Sequence, residues 1–472
     1  MSDQRFVAIV LAAGQGTRMK SQLPKVMHPL LGRPMISYPV QAALDAGAER
    51  VVGVVGHGAE VVKEELSRRF GERVVTALQA EQRGTGDAAR CGAEALPDWG
   101  GWFLIIYGDS ALLTTQALRS LMDHALAQPG PLALLTTTSA DATGYGRIVR
   151  DAQGRIESIR EQKDCSPEQA KIREWNPGVY AVRADFFRAS IGKLNTNNAQ
   201  RELYLTDLVW MAAQQGGSAG LSWDEAELHG VNDRYELVQR ERELARRIAV
   251  AHMKAGVTLR DPAATRIEPD VVIEPDVVIE RGVELRGKTR VAAGTHIDVG
   301  CVISDTQIGP NAKLLPYSVS SESVIGAGAR VGPFAHLRPG SVLGDDVHIG
   351  NFVETKKTRL GKGSKANHLA YLGDGEIGRD VNVGAGTIFC NYDGVNKHVT
   401  TLEDGSFIGS DSQLVAPITV GKGAYVGTGT TVTKDVPADA LAIGRARQEN
   451  KPGLAPRLRA KLLADKARRE KK

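Results

Sequence analysis

The segment Leu11-Ala12-Ala13-Gly14-Gln15-Gly16-Thr17-Arg18-Met19, followed by Leu23-Pro24-Lys25, has the residue types of a phosphate-handling loop. Glycines at a strand exit let backbone N–H groups approach phosphate oxygens, and Arg18 and Lys25 supply compensating charge. No Gly-Lys-Ser/Thr closes the loop, so it is not a Walker A. Met19 stands where a third glycine belongs, so it is not a dinucleotide fingerprint either. Further on, Tyr107-Gly108-Asp109 places a carboxylate after an apolar run, at the sheet edge where ligands of open α/β folds bind. An isolated Asp109 reads equally well as a turn residue. Beside a phosphate loop, however, a hard oxygen suits Mg²⁺.

These loops require a sheet to carry them. Phe6–Leu11, Val51–Val55, Trp102–Tyr107 and Pro131–Thr136 are continuous apolar or β-branched runs, separated by segments such as Met35–Ala46 and Thr115–Leu126 with apolar residues three and four apart. That alternation predicts an α/β domain with a mostly parallel sheet covered on both faces. From Asp233 to Lys254 a charged stretch with Leu237, Leu244, Ile248 and Ala251 on one face predicts a linker helix, which Gly256 stops.

The period then changes to six. Ile267, Ile273, Ile279, Leu285, Val291, Ile297 and Ile303 recur without a slip; a second register runs Val319, Ile325, Val331, Leu337, Leu343, Ile349, and a third Leu402, Ile408, Leu414, Val420, Val426, Val432. Neither a helix nor a hairpin repeats at six. A parallel β-helix does, with three flat faces per coil, one inward apolar residue per face, and Gly or Asn near the corners. Between Ile349 and Leu402 the phase is expected to break. That interval holds Asn351–Lys357, Lys365–Asp374 and Cys390–Gly394, loaded with Lys, His, Asn and Tyr, and a mere scaffold gains nothing from such excursions. The predicted organisation is therefore an α/β domain (1–232), a linker helix (233–256), a β-helix (257–445) and a basic, solvated, mobile tail (446–472).

Composition narrows the function classes. A chain of 472 residues, 42% of them hydrophobic, builds two cores rather than one. Cys91, Cys165, Cys301 and Cys390 lie far apart with no CxxC or zinc spacing, the usage of a reducing compartment. The first apolar stretch meets glycine before it reaches the length of a signal or membrane helix. A cytoplasmic protein without membrane insertion is expected. The formal net charge of +4 resides in the tail, which from Pro456 carries eight basic and two acidic residues, leaving the body at −2. With 5% aromatic residues, that body lacks the basic stripe and stacking platforms of a nucleic-acid binder.

The combination LAAGxGTRM with a following LPK resembles the sugar-1-phosphate nucleotidylyltransferases. The resemblance tightens at Gln79-Ala80-Glu81-Gln82-Arg83-Gly84-Thr85-Gly86, at Thr143-Gly144-Tyr145-Gly146-Arg147-Ile148 and at Asn197-Asn198-Ala199-Gln200. Together with the hexads, the chain is similar over nearly its whole length to the bacterial bifunctional N-acetylglucosamine-1-phosphate uridyltransferase/glucosamine-1-phosphate N-acetyltransferase family. The tail alone is unmatched. The resemblance implies a Rossmann-like nucleotidyltransferase domain, a left-handed β-helix and a homotrimer with acetyltransferase pockets between neighbouring β-helices. It also implies two reactions: acetyl-CoA acetylates glucosamine-1-phosphate, and UTP with Mg²⁺ then uridylylates the product to UDP-N-acetylglucosamine, releasing pyrophosphate.

Residue by residue, the resemblance implies Asp109 and Asn232 as the Mg²⁺ ligands. Around UTP and the product it places Leu11, Ala12, Ala13, Gly14, Arg18, Lys25, Tyr107, Gly108, Asp109 and Asn232, with Gln79, Gly84 and Thr85 on the uracil and Gly146, Glu161 and Asn176 on sugar and ribose hydroxyls. It implies His368 as general base of acetyl transfer, imidazole being the side chain that accepts an ammonium proton near neutrality. Arg338, Lys356, Tyr371, Asn382 and Asn391 would bind glucosamine-1-phosphate. Ala385, Asn391, Tyr392, Ser410, Thr428 and Arg445 would hold acetyl-CoA. Three departures stand out: Ser110-Ala111-Leu112 where the family has Val-Pro-Leu, Pro177 after Asn176 where Thr is common, and Thr428 where Ala is usual.

Two other readings stay open on the residues themselves. One is a monofunctional sugar-1-phosphate nucleotidylyltransferase whose β-helix only oligomerises, because fold does not dictate function. The other is a sensor that binds sugar nucleotides without turning them over. The His368 excursion weighs against the former; Lys25, Asp109, Asn232 and His368 together weigh against the latter.

Overall fold

The computed structural model describes residues 5–470, which fall into two compact units divided at Ile248/Ala249. In the first unit a ten-stranded sheet runs in the order Val74–Leu78, Val51–Val55, Phe6–Ala12, Trp102–Tyr107, Tyr180–Arg183, Leu132–Thr138, Glu174–Asn176, Gly146–Arg150, Ile156–Arg160, with Ser218–Ser222 also pairing to Leu132–Thr138. The first four strands are mutually parallel; antiparallel pairing begins at Tyr180–Arg183 and extends the sheet to its far edge.

All seven residues of Phe6–Ala12 are buried, because helices cover both faces. Ala8, Val10 and Ala12 pack with the helices Ser37–Ala46, Ala59–Phe70 and Thr115–Ala127. Their neighbours Val7, Ile9 and Leu11 pack with Thr85–Glu94, Ala184–Ile191 and Asp207–Ala213. The alternation of strand side chains thus splits one short run between two cores. Thr114 caps the helix Thr115–Ala127, its hydroxyl oxygen accepting from the Ala117 N–H at 3.2 Å. The predicted linker helix runs Arg234–Lys254, and its Leu237 and Leu244 pack on Leu30, Met35, Ala111 and Val231.

In the second unit, parallel sheets of eleven, ten and nine short strands stack coil upon coil into a left-handed β-helix. Every strand edge meets the next coil, so the backbone is satisfied along the axis. The first register is buried as expected, from Ile267 to Ile303. Each such aliphatic side chain contributes roughly 1.5–3 kcal/mol by leaving water.

Two details differ from expectation. Val319 faces outward, and Ser320 takes the inward position, its hydroxyl 3.0 Å from that of Thr306. More generally, the phase does not dissolve after Ile349. The inward ladder continues through Thr355, Leu360, Ala366, Leu372, Ile377, Val383, Phe389 and Leu402, all buried. Successive coils here are 17 residues long, two faces of six and one of five. A reading that counts only large aliphatics loses this ladder, because Thr355 and Ala366 fill inward positions; Thr355 satisfies its hydroxyl on that of Ser341 at 2.7 Å. One true excursion remains, between Phe389 and Leu402, and it holds Asn391–Gly394.

The tail carries one further element. Leu454–Arg469 forms a helix with no buried residue, opened by Gly453 at φ 77°. Its Ala, Leu, Arg and Lys content favours helix irrespective of charge, and the charge run obscured that propensity.

Candidate active sites

Strand Phe6–Ala12 delivers Ala13 and Gly14 to the carboxyl edge of the sheet, beside Asp109 at the end of the adjacent strand Trp102–Tyr107. A Cβ on Gly14 would meet nothing within 4 Å, so the backbone there borders open space. Gly16 is constrained: φ is 63°, and a Cβ would sit 2.5 Å from that of Lys25. That close crossing brings Lys25 to an ion pair with Asp109. Arg18 donates to Asn232 Oδ1 at 2.8 Å. Each of the two proposed metal-ligand side chains therefore offers its oxygen to a cation of the glycine loop.

Two cavities of about 330 Å³ each open here and share Tyr107 and Asp109. The first is lined by Leu11, Ala12, Ala13, Gly14, Lys25, Gln79, Gly84 and Thr85; the second by Arg18, Gly146, Glu161, Asn176 and Asn232. All the residues that the resemblance places around nucleotide and sugar are gathered in these chambers except Gly108. Gly108 backs the loop instead, donating to the Leu11 carbonyl at 2.9 Å.

Gln79 is buried, and its amide nitrogen is committed to the Gly84 carbonyl (3.1 Å) and Asp87 (2.9 Å), so the side chain shapes the turn and keeps its amide oxygen as an acceptor. Gly84 has φ 113°, and a Cβ would lie 2.6 Å from the Leu203 carbonyl. In the second chamber, burial pushes the Glu161 carboxyl above its usual range, partly offset by a 3.1 Å hydrogen bond from the Thr206 hydroxyl. Burial, with the charges of Glu161 and Asp109, likewise holds the Tyr107 phenol protonated far above neutrality. Asn176 donates to Tyr180 Oη at 2.6 Å and accepts from the Gly178 N–H at 3.0 Å.

Sequence reading missed Gln82 and Glu202 in the first chamber and Tyr145, Gly178, Gly230 and Glu236 in the second. Gln82 and Tyr145 lay inside motifs already recognised. Gln82 donates to the Ala13 carbonyl at 2.8 Å, a contact across 69 positions that no local pattern announces.

On the β-helix, Asn351 and His368 occupy the same register on successive coils, with His368 Nδ1 2.8 Å from Asn351 Oδ1. With the amide oxygen as acceptor, Nδ1 carries the proton and Nε2 presents its lone pair. On the adjoining face, Lys356 pairs in register with Gly373. A Cβ on Gly373 would run into the Tyr371 hydroxyl and the Asn391 amide, which therefore converge over that backbone. Asn391 donates to Asp374, and Arg338 donates to Glu354 Oε1 at 2.8 Å. Asn382 belongs to the sheet of His368 but pairs with Lys365, three positions away from it.

Four of the residues assigned to acetyl-CoA, Ala385, Ser410, Thr428 and Arg445, form a column along one corner. The Ala385 carbonyl accepts from the Asp411 N–H (2.7 Å), the Ser410 carbonyl from the Gly429 N–H (2.9 Å), and Thr428 and Arg445 flank Gly429. Tyr392 stands apart in the 390–399 excursion, half exposed, its ring 4.1 Å from the Lys397 ammonium.

Comparison with known proteins finds relatives of both units. Residues 8–202 match the MobA-like NTP transferase domain, 257–360 the GMPPB C-terminal domain, and 399–434 the hexapeptide repeat of succinyl-transferase. The chain is 56% identical to the bifunctional protein GlmU of Sorangium cellulosum, covering 97% of each. It is 50% identical to that of Pelobacter propionicus over 97% of this chain and 100% of the relative. Against that of Geobacter sulfurreducens it is 47% identical, over 95% and 98%. A nucleotidyltransferase unit and a hexapeptide-repeat unit in one chain, with identity of this level from end to end, make the chain a member of the GlmU family of bifunctional proteins.

Proposed function

We propose that the β-helix transfers acetyl from acetyl-CoA to glucosamine-1-phosphate, and that the α/β unit then transfers uridylyl from UTP to the product, giving UDP-N-acetylglucosamine. The observation that carries this reading is the shared floor of the two chambers, where Asp109 faces both and is held by Lys25. A nucleotide in the first chamber and a sugar phosphate in the second meet there. The phosphate monoester oxygen attacks the α-phosphorus, that phosphorus bonds to the new oxygen, and its bond to pyrophosphate breaks. The attacking oxygen is already anionic, so the step needs no base. Lys25 and Arg18 offset the repulsion between the two anions.

Asp109 and Asn232 fit a Mg²⁺ site. Both present hard oxygens that already bind cationic groups, and Gly230 brings the Asn232 loop against Asp109. Among the described residues no cluster of three His, Cys, Asp or Glu side chains surrounds them. That suits Mg²⁺, which takes one or two protein oxygens and completes its shell with water and phosphates. When bound, it neutralises charge developing on the transferred phosphoryl group.

In the acetyl transfer, the free amine of the amino sugar attacks the thioester carbonyl and becomes an ammonium, and His368 Nε2 takes the proton that this nitrogen sheds as the amide forms. The C–S bond breaks to release CoA, whose sulfur takes that proton from His368 to leave as the thiol. Arg338 and Lys356 engage the sugar phosphate, and Tyr371 and Asn391 the hydroxyls. A homotrimer through the β-helix is supported by the exposed column of Tyr317, Phe334 and Phe352, stacked at 5.4 and 5.6 Å and followed by exposed Leu369 beside His368. A cytoplasmic location is supported by four free cysteines. No helix among the described residues is long and apolar enough to cross a membrane.

The test measures free-thiol and pyrophosphate release separately in His368→Ala and Asp109→Ala. The expected result is loss of thiol release alone in the first and of pyrophosphate release alone in the second. Absence of thiol release in the wild type would return the β-helix to a scaffold.

A further inference from the structure

One wall of the second chamber is built from groups that the two reactions do not use. Tyr145, in the loop that also carries Gly146, lays its ring on the fully buried indole of Trp175 with centroids 3.9 Å apart. Trp175 is itself anchored, Nε1 donating to Ser139 Oγ at 2.9 Å, and it immediately precedes Asn176. The Tyr145 hydroxyl lies 2.9 Å from His229 Nδ1, and His229 Nε2 lies 3.1 Å from Glu225 Oε1. A carboxylate only accepts, so Nε2 carries the proton and donates, and Nδ1 accepts from the phenol. Burial holds the His229 ring below its usual pKa, in keeping with this neutral tautomer.

His229 directly precedes Gly230-Val231-Asn232. A Cβ on Gly230 would stand 3.2 Å from Asp109 Oδ1, and the Asn232 N–H is pinned by Glu236 at 2.7 Å. The hydrogen-bonded series Tyr145–His229–Glu225 therefore joins the loop lining the sugar side to His229, the residue that leads into the segment presenting Asn232. A loose Tyr145 would let the 143–146 loop drift, whereas a tied one moves with the Asn232 segment or not at all.

We propose that Tyr145, His229 and Glu225 are positioning residues that lock the sugar-side loop to the Asn232 segment, so that seating of the sugar phosphate and presentation of Asn232 occur as one event. The proposal rests on the assignment of the second chamber to the sugar phosphate.

The experiment uses the full-length enzyme. It measures KM for N-acetylglucosamine-1-phosphate, KM for UTP and kcat by pyrophosphate release in Tyr145→Phe, His229→Ala, the double variant and His229→Gln, with thermal unfolding as a check on folding. Each single variant is expected to raise the sugar-phosphate KM about five- to tenfold, the scale of one lost hydrogen bond at a loop, with the UTP KM within about twofold. The double variant should be no worse than either single, because both cut the same link. His229→Gln, whose amide offers a donor and an acceptor, should recover most of the loss, which a purely structural role for the imidazole ring would not allow. Multiplying effects in the double variant, or an unmoved sugar-phosphate KM with an unmoved UTP KM, overturns the link. Non-multiplying effects that fall on the UTP KM instead leave the link standing and overturn the chamber assignment.

Discussion

Asn351 Oδ1 lies 2.8 Å from His368 Nδ1, the two residues holding the same register on consecutive coils of the β-helix. The coil spacing itself thus sets the imidazole's tautomer. Removing the proposed base, His368→Ala, should lower acetyl transfer roughly 10²- to 10⁴-fold, the usual contribution of a positioned general base. Asn351→Ala should cost less, about tenfold, and leave pyrophosphate release unchanged. Free-thiol release under saturating acetyl-CoA measures both.

The Mg²⁺ site proposed at Asp109 and Asn232, whose oxygens now face Lys25 and Arg18, predicts a divided response to chelation. EDTA should abolish pyrophosphate release and spare thiol release, and Asp109→Asn should raise the Mg²⁺ concentration needed for half-maximal uridylyl transfer. Equal sensitivity of both reactions to EDTA would count against a metal confined to the α/β unit.

Gly14 and Gly16 should behave differently although only one residue separates them. Gly14→Ala meets no atom within 4 Å, so its melting temperature should equal that of wild type while the UTP KM rises, because the methyl group enters the first chamber. Gly16→Ala must adopt φ 63° and displace the Lys25 Cβ, so it should lose about 1–2 kcal/mol or more of stability. Thermal unfolding beside UTP kinetics separates the two.

Glu161 predicts a pH-dependent gain. Burial raises its folded pKa above the unfolded value, so its favourable contribution is complete below the unfolded pKa and is lost as pH rises through the folded one. At neutral pH the buried carboxylate is therefore destabilising. Glu161→Gln should unfold a few degrees higher at pH 7–8, with the difference vanishing near pH 4. The same variant should raise the sugar-phosphate KM, since a neutral amide accepts less strongly from hydroxyls.

Much of this molecule is local and therefore readable. A seven-residue apolar run followed by glycines reads as a strand of a sheet covered on both faces, and a hexad of aliphatics reads as the inward row of a β-helix, as Phe6–Ala12 and Ile267 to Ile303 are. Lys25 was legible from its place after the glycine loop, whereas Gln79, Glu161 and His368 were named through the family resemblance of the motifs that hold them. Tertiary structure decided what depends on partners distant in sequence. Gln82 reaches the Ala13 carbonyl across 69 positions, and the Tyr145–His229 contact spans 84. The inward ladder through Thr355 and Ala366 escaped an aliphatic count because a coil position is defined by the coil above and below it, not by its own side chain. Residue type and period are properties of the chain alone; which oxygen meets which nitrogen is settled by packing, after the entropy of the chain has been overcome.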